Sequence, residues 1–192
     1  MRRRLLFVML GLLMSISCIN AQDKNLSKLI KMLQDKDNIT SFQKFEETLG
    51  NQIKYQVYKL PGGVITATAG VGDIFAEIRH YSKSNNCFLE LSEKKTSSKC
   101  YIDYNDLLEV NKYLPILIAE APLDCQKLPD YLENYYKTKD NFGIGYFIAT
   151  NKVTWFVQMG RYHDVLTIEN IADMSNLLQK AQLKIELLMS QN

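Results

Sequence analysis

Hydrophobic and polar residues alternate along much of the first half of the chain, a pattern typical of strands with one buried face. The alternating runs cover residues 53–60, 64–70, 73–81, 87–91 and 100–104, with turn residues between them. Pro61, Gly62 and Gly63 separate the first run from the second. This pattern predicts five successive strands that form an antiparallel meander.

A second alternating region spans residues 143–160 and predicts a hairpin. Its two apolar runs meet at Asn151 and Lys152, and two-residue loops are common in tight hairpins. A loop at these residues pairs Thr150 with Val153, Ile148 with Trp155, Tyr146 with Val157 and Ile144 with Met159. We expect this mostly apolar face to point toward the core. Together with the meander, the hairpin predicts a sheet of about seven strands.

Apolar residues recur at helical spacing near both ends of the chain. One short helix is predicted around residues 26–33, and a second over residues 40–50, where Thr40 and Gln43 have the spacing of a capping box. A long final helix is predicted from about Ile168, and its apolar stripe is suited to covering a sheet.

The middle of the chain combines signals of different kinds. Asn105 or Asp106 can cap a helix that continues through Leu114. Residues 115–122 fit either a strand or a buried helix, and Pro129 can begin a further helix over residues 129–137. We therefore predict helices on both sides of an ambiguous apolar segment.

Composition places the chain among globular proteins. Hydrophobic residues make up 46% of it and charged residues 23%, which is outside the range of disordered chains. We expect one α+β domain over residues 53–192, with the short helices of residues 22–52 as part of it. In this architecture a mainly antiparallel sheet is packed by helices from the N- and C-terminal parts of the chain.

The N-terminal residues have the pattern of a cleavable export signal. Arginines at positions 2–4 precede an apolar run over residues 5–16, which is shorter than the roughly 20 residues needed to span a bilayer. The small residue Ala21 favours cleavage before Gln22. We therefore predict that residues 1–21 are removed and that the mature chain is periplasmic or extracellular, with no transmembrane segment.

Lipidation at Cys18 is the alternative fate of the same segment. A lipidation site is expected to carry a large aliphatic residue three positions before the cysteine, whereas Ser15 stands there. The alternative localisation is therefore a membrane-anchored lipoprotein, and the sequence favours ordinary cleavage.

Removal of the leader also changes the charge. The full chain carries a formal charge of +2, and loss of three arginines without any acidic residue leaves a mature charge of −1. A near-neutral chain lacks the electrostatic footprint of a protein that binds nucleic acid or an anionic membrane surface. Another protein is the partner class that remains.

Three cysteines remain after cleavage before Gln22. An oxidising compartment favours pairing, and Cys87 and Cys100 lie on two adjacent predicted strands. If Cys87 lies opposite Cys100, a turn over residues 92–95 joins the strands and both sulfur atoms point to one face. We predict this disulfide; the alternative is three buried free thiols, including Cys125.

Known catalytic motifs are absent from the sequence. With two histidines in the chain, a metal site would have to recruit Cys125 or carboxylates far apart in sequence. His80 ends an apolar strand face and is interpreted as a core residue. We therefore predict no cofactor, no metal and no catalytic residue.

Two features are candidate binding sites. In the predicted hairpin, Phe147 lies opposite Phe156 on the face turned away from the core, and small residues flank the pair. This face is a binding surface if it is open, and a second helical layer would cover it otherwise. The segment after the hairpin adds Arg161, Tyr162 and His163, which combine a bidentate donor, an aromatic ring and a titratable base. A solvated connector is the alternative for this segment.

These features favour an exported, non-enzymatic protein-binding module, such as an inhibitor or immunity-type protein or a subunit of a bacterial envelope complex. The eleven tyrosines fit this function, because tyrosine buries a large ring while its hydroxyl stays hydrated. One alternative is a carrier of a small apolar ligand. The other is a hydrolase that uses His163 or Cys125.

The leader is directly testable. When the full chain is expressed in a bacterium, we expect N-terminal sequencing and intact mass of the exported protein to show a chain that begins at Gln22. A chain that begins at a lipid-modified Cys18 would contradict the predicted cleavage, and an intact Met1 on cytosolic protein would contradict export altogether.

Overall fold

The computed structural model of the protein describes residues 40–50, 52–68, 72–159 and 164–191. The predicted leader with Cys18, the predicted helix around residues 26–33, and Arg161, Tyr162 and His163 lie outside the described residues. The fold is α+β, as predicted from the sequence, with two four-stranded antiparallel sheets and three helices in the described part of the chain.

The helices are α1 (Ser41–Thr48), α2 (Tyr104–Gln126) and α3 (Ile171–Met189). Sheet I contains the first four strands in sequence order: β1 (Gln56–Ile65), β2 (Ile74–Tyr81), β3 (Asn86–Glu93) and β4 (Lys99–Asp103). Sheet II contains the next four in sequence order: β5 (Tyr131–Lys137), β6 (Gly143–Ala149), β7 (Lys152–Met159) and β8 (Asp164–Ile168). Each sheet is a simple meander, and α2 connects one sheet to the other.

A short backbone ladder joins the two sheets at one edge. Residues just after β1 approach β8, where Ala67 forms an antiparallel bridge with Ile168. The Thr68 N–H donates to the Thr167 carbonyl at 2.9 Å, and the Glu169 N–H donates to the Thr66 carbonyl at 3.3 Å. These bonds hold the β8 edge of sheet II against the end of β1.

The largest apolar cluster runs through both sheets, and a smaller one lies between α2 and sheet II. Alternate residues of the strands point inward and pack against α2 and α3. The largest cluster includes buried residues from α2, α3 and every strand except β5, among them Ile74, Leu89, Ile102, Leu107, Ile144, Val157 and Leu178. The alternation recognised in the sequence therefore selects the core faces of β2, β3, β6 and β7 correctly, whereas in the first run Ile53, Tyr55 and Val57 are exposed and Leu60 is buried.

Helix α1 covers part of the outer face of sheet I. Its N-terminus is the predicted capping box, because the Thr40 side chain accepts a hydrogen bond from the Gln43 N–H at 3.2 Å and the Gln43 side chain accepts from the Thr40 N–H at 3.1 Å. The Phe42 ring stacks on Tyr101 with centroids 3.6 Å apart, and Phe45 meets Tyr81 edge to face at 4.8 Å. The aromatic residues of this short helix therefore anchor it to the sheet.

The first two predicted strands form one strand, so the meander of sheet I has four strands and the prediction of five was wrong. β1 runs through residues 61–63, and its pairing with β2 shifts between Lys59 and Val64. Gly62 has a φ of 72° at this irregularity. An edge strand tolerates proline and a bulge because half of its backbone groups need no ladder partner.

The predicted helix over residues 129–137 is a strand, which corrects the sequence analysis. In β5 exposed residues alternate with partly buried residues of the inner face. Tyr131, Glu133, Tyr135 and Lys137 are exposed, and Leu132, Asn134 and Tyr136 are partly buried. Pairing with β6 and the β propensity of tyrosine outweigh the helix-start signal of proline. The ambiguous residues 115–122 are helical and belong to α2, which contains both prolines of that segment.

The ends of the two long helices differ slightly from the predicted ones. Asp103 caps α2 instead of Asn105 or Asp106, and its side chain accepts a hydrogen bond from the Asp106 N–H at 2.8 Å. Helix α3 begins at Ile171, after the Asn170 cap, rather than at about residue 168. In both cases a strand end supplies the residues just before the helix.

The predicted hairpin over residues 143–160 is present with a shifted loop. Ala149 pairs with Lys152, and the loop residues Thr150 and Asn151 have φ values of 50° and 58°. Positive φ at both loop residues is the requirement of a type I′ turn, which matches the twist of a hairpin. Each residue of β6 therefore pairs with the β7 residue two positions before the predicted one. Because side chains alternate between the two faces of a strand, a shift of two positions leaves every side chain on its predicted face.

Gly145 allows β5 and β6 to approach each other, which predicts the effect of a substitution. A Cβ atom at Gly145 would overlap the Asn134 carbonyl and the Tyr135 backbone, whereas the nearest atom to a Cβ at Gly143 is Gln158 Cβ at 3.1 Å. We expect Gly145→Ala to lower the free energy of unfolding by about 2 kcal/mol or more, and Gly143→Ala by less than about 1 kcal/mol. Urea denaturation measures both, and equal losses would contradict this strand packing.

Candidate functional site

The outer face of sheet II carries a row of aromatic side chains. Tyr131 and Tyr135 come from β5, Phe147 from β6 and Phe156 from β7. Their strand neighbours, such as Ile148 and Val157, point to the core, so these four rings project from the opposite face. We call these four residues the aromatic face.

The four rings form a continuous series. Ring centroids are 6.4 Å apart between Tyr131 and Phe147, 6.2 Å between Phe147 and Phe156, and 6.1 Å between Phe156 and Tyr135. These separations lie within the range of favourable aromatic contacts. In the observed register Phe147 faces Thr154 and Phe156 faces Gly145, so the predicted direct pair of phenylalanines is a diagonal contact.

Exposure divides the aromatic face into a floor and a rim. Phe156 is 3% exposed and Phe147 is partly buried, whereas Tyr131 is 61% exposed and Tyr135 is 46% exposed. On the other side of Phe156, Val165 of β8 is 53% exposed. The sequence-predicted candidates Phe147 and Phe156 therefore support a surface on which the tyrosines are the accessible groups.

A polar group accompanies the exposed rings. The Tyr131 hydroxyl donates a hydrogen bond to Glu133 Oε2 at 2.9 Å, and this bond raises the pKa of Tyr131 above its usual value. Glu133 and Lys137 are exposed on the same side of β5. The surface can thus offer apolar contact area together with hydrogen-bonding groups at its border.

β5 is also an edge strand of sheet II in the described structure. An edge strand presents unpaired N–H and C=O groups that can hydrogen-bond to another extended chain. Two exposed side chains of β5, Tyr131 and Tyr135, belong to the aromatic face, so the strand edge lies beside the rings. Sequence reasoning missed Tyr131 and Tyr135 because it assigned residues 129–137 to a helix; the alternation of Tyr131, Glu133 and Tyr135 was the available signal.

The predicted disulfide between Cys87 and Cys100 is wrong. Both side chains are buried free thiols, and Cys100 pairs with Leu91 across the ladder. Cys87 lies four residues from Leu91, or roughly 13 Å along the strand, which is beyond the reach of a disulfide. The turn between β3 and β4 lies two residues later than the predicted one: the Glu93 N–H donates to the Ser98 carbonyl, and the Glu93 side chain accepts hydrogen bonds from the Lys95 and Thr96 N–H groups at 2.7 and 2.6 Å.

The structure places a histidine opposite a cysteine, and these residues are not His163 and Cys125, which the sequence analysis considered for a hydrolase. His80 is buried on the inner face of sheet I, directly across from Cys87. Burial raises the pKa of the Cys87 thiol to about 11, which disfavours the nucleophilic thiolate at neutral pH. Cys125 is partly buried at the end of α2, where its thiol donates to the Asn151 carbonyl at 3.4 Å.

Comparisons with known proteins found no matching family model, no similar curated protein and no similar solved structure. Within the described residues, no helix has the length and apolar character that a membrane crossing requires.

The free thiols predict an accessibility experiment. In the native mature chain, Cys125 should react first with a thiol reagent, because Cys87 and Cys100 are buried. In denaturant without reductant, we expect all three thiols to be titrated. Recovery of a single thiol under those conditions would reveal a disulfide and contradict the register of β3 and β4.

Proposed function

We propose that this chain is an exported, non-enzymatic protein-binding module that contacts its partner protein through the aromatic face and the β5 edge. The observation that carries the proposal is the exposure of Tyr131 and Tyr135 on a floor of Phe147 and Phe156. The partner is a different protein of the same extracytoplasmic compartment. An inhibited enzyme, or a neighbouring subunit of an envelope complex, fits this description.

The chemistry of the surface favours a protein partner. Tyrosine is enriched among the residues that contribute most to protein interfaces, because a large rigid ring loses little conformational entropy and its hydroxyl can still hydrogen-bond. The hydrogen bond from Tyr131 to Glu133 restrains that ring before binding. A restrained aromatic surface gives up less freedom on association than a flexible one.

The position of β5 at the edge of sheet II indicates how the partner can dock. An extended segment added beside β5 would continue sheet II by one strand, with its backbone groups paired to those of β5. Alternate side chains of that segment would then extend the aromatic face. This mode combines backbone hydrogen bonds, which supply affinity, with ring contacts, which supply specificity.

The packing of the described residues gives less support to the two alternatives. A carrier of an apolar ligand needs an internal cavity, whereas the core side chains that face one another between sheets and helices, such as Ile78, Leu89 and Ile144, have no accessible surface. The hydrolase alternative is based on His163, which lies outside the described residues, or on Cys125, whose thiol donates to the Asn151 carbonyl. A hydrolase needs an accessible nucleophile beside a base, whereas His80 and Cys87, which lie opposite each other, are buried.

Site-specific photo-cross-linking in the producing cells tests the proposal. A benzophenone amino acid replaces Tyr131 or Tyr135 in the full tagged chain, and Leu183 on α3 serves as the matched control because it is 65% exposed. We expect one cross-linked product at positions 131 and 135, containing a second, different protein, and no such product at position 183. Products that contain only a second copy of this chain, or only lipid, would contradict the proposal.

The identified partner then allows a quantitative test. The double variant Tyr131→Ala/Tyr135→Ala should weaken binding at least about tenfold, because each interface tyrosine of this kind contributes on the order of 1 kcal/mol or more. Leu183→Ala should leave binding unchanged. Both variants should unfold within about 1 kcal/mol of the parent, since the changed side chains are exposed. Unaltered affinity of the double variant would place the interface elsewhere.

A further inference from the structure

Three aspartates from separate segments converge beside the start of α2. Asp103 ends β4 and caps α2, Asp106 lies in the first turn of α2, and Asp140 lies in the loop between β5 and β6. One carboxylate oxygen from each of the three lies within 4.8 Å of those of the other two. Sequence reasoning foresaw that a metal site would need carboxylates distant in sequence, but nothing in the local pattern linked Asp140 to the other two.

The hydrogen bonds of these carboxylates leave oxygens without a partner. Asp103 Oδ1 accepts from the Asp106 N–H at 2.8 Å, and Asp140 Oδ1 accepts from the Ser41 N–H at 2.6 Å. Asp106 Oδ2 and Asp140 Oδ2 are buried and accept no hydrogen bond from the described residues. Asp140 is only 4% exposed, so its second oxygen has little contact with bulk solvent. A buried carboxylate oxygen without a partner is strongly unfavourable.

The surrounding charges do not neutralise the cluster. Among the described residues, no lysine or arginine forms an ion pair with any of the three aspartates. Burial raises the pKa of Asp106, and the charges of Asp103 and Asp140 raise it further, whereas Lys139 acts in the opposite direction. Burial likewise raises the pKa of Asp140, whereas its hydrogen bonds with Ser41 and Phe42 act in the opposite direction. The three aspartates therefore meet without a directly paired positive side chain among the described residues.

We propose that Asp103, Asp106 and Asp140 bind one divalent cation, and that calcium is the ion that fits best. An all-oxygen set of carboxylates selects hard cations rather than zinc or copper. Carboxylate oxygens that lie within 4.8 Å of one another can meet on one ion. Calcium accepts six to eight oxygen ligands in a flexible geometry, whereas magnesium requires a near-ideal octahedron and is usually held by one or two carboxylates, so a set of three carboxylates favours calcium.

Surface clefts lie on two sides of the cluster. Asp140 lines a cleft of about 140 Å³ with Thr40 and Gln43, and Asp103 lines a second cleft of about 330 Å³ with Ser41 and Asn105. These clefts supply routes by which a hydrated ion can reach the carboxylates. They also leave space for the water ligands that complete the coordination of calcium.

A cation at this position would connect three parts of the fold. The Ser41 N–H already holds Asp140 against the start of α1, and Asp103 and Asp106 belong to the start of α2. Asp140 lies in the loop where the Thr138 N–H donates to the Phe142 carbonyl at 2.8 Å. The ion would therefore fix the loop of the β5–β6 hairpin, whose strands carry three residues of the aromatic face, to the two helices.

Calcium titration of the purified mature chain tests the site. After treatment with a chelator, calorimetric titration with CaCl2 should show binding of one ion per chain. The melting temperature should rise by roughly 5 °C or more when free calcium exceeds its Kd a hundredfold, and KCl of equal ionic strength should not reproduce this shift. MgCl2 should bind more weakly.

Variants separate this site from a general salt effect. Asp106→Asn and Asp140→Asn keep the shape of each side chain but remove a charge, and each should abolish the calcium-dependent shift. Asp130→Asn changes an exposed acidic residue and should retain it. Absence of binding to the parent chain overturns the proposal even if a variant fails to fold. Asparagine variants that raise the melting temperature in a calcium-independent way would likewise overturn it, because the cluster would then be only a strained set of acids.

Discussion

The shared apolar core of the two sheets is the constraint on which the rest of the structure depends. Side chains from both sheets pack with α2 and α3 in one cluster, so each strand must direct one face inward. Burial of this area supplies the main stabilisation, at roughly 25 cal/mol per Å² of apolar surface. The opposite face of each strand does not contribute to this core and can make other contacts. The residues on those outer faces therefore determine which groups a partner can contact.

The two outer faces have different contents. On sheet I, Phe42 and Phe45 of α1 pack over the strands, and the Arg79 guanidinium lies over the Tyr101 ring while it pairs with Glu90. The aromatic and charged groups of that face are thus engaged within the chain itself. On sheet II, the tyrosines of β5 form the rim of an aromatic surface and remain accessible. The proposed binding surface and the proposed cation site meet in the β5–β6 hairpin, since the loop of that hairpin holds Asp140 while its strands hold the rings.

Local signals predicted much of the fold because their physical causes are local. The capping box of Thr40 and Gln43 involves residues three apart, and the alternation of β2, β3, β6 and β7 reflects one buried face per strand. The candidate site was predicted in part: Phe147 and Phe156 lie on the outer face as expected, but the tyrosines that make the surface accessible were assigned to a helix. Residues 131–137 form a strand because β6 pairs with them, and that pairing cannot be seen in the segment alone.

By itself, the sequence determined the α+β class, the positions of most strands and, for β2, β3, β6 and β7, the face on which each residue lies. Both errors of strand pairing were even shifts, two positions in the β6–β7 hairpin and four between β3 and β4, and an even shift leaves the faces unchanged. Only the tertiary structure decided the division into two sheets, the separation of Cys87 from Cys100 and the convergence of Asp140 with Asp103. These features depend on turn geometry and on contacts between segments that are distant in sequence. The energies of such contacts are distributed over the whole core, so no short stretch of sequence predicts them.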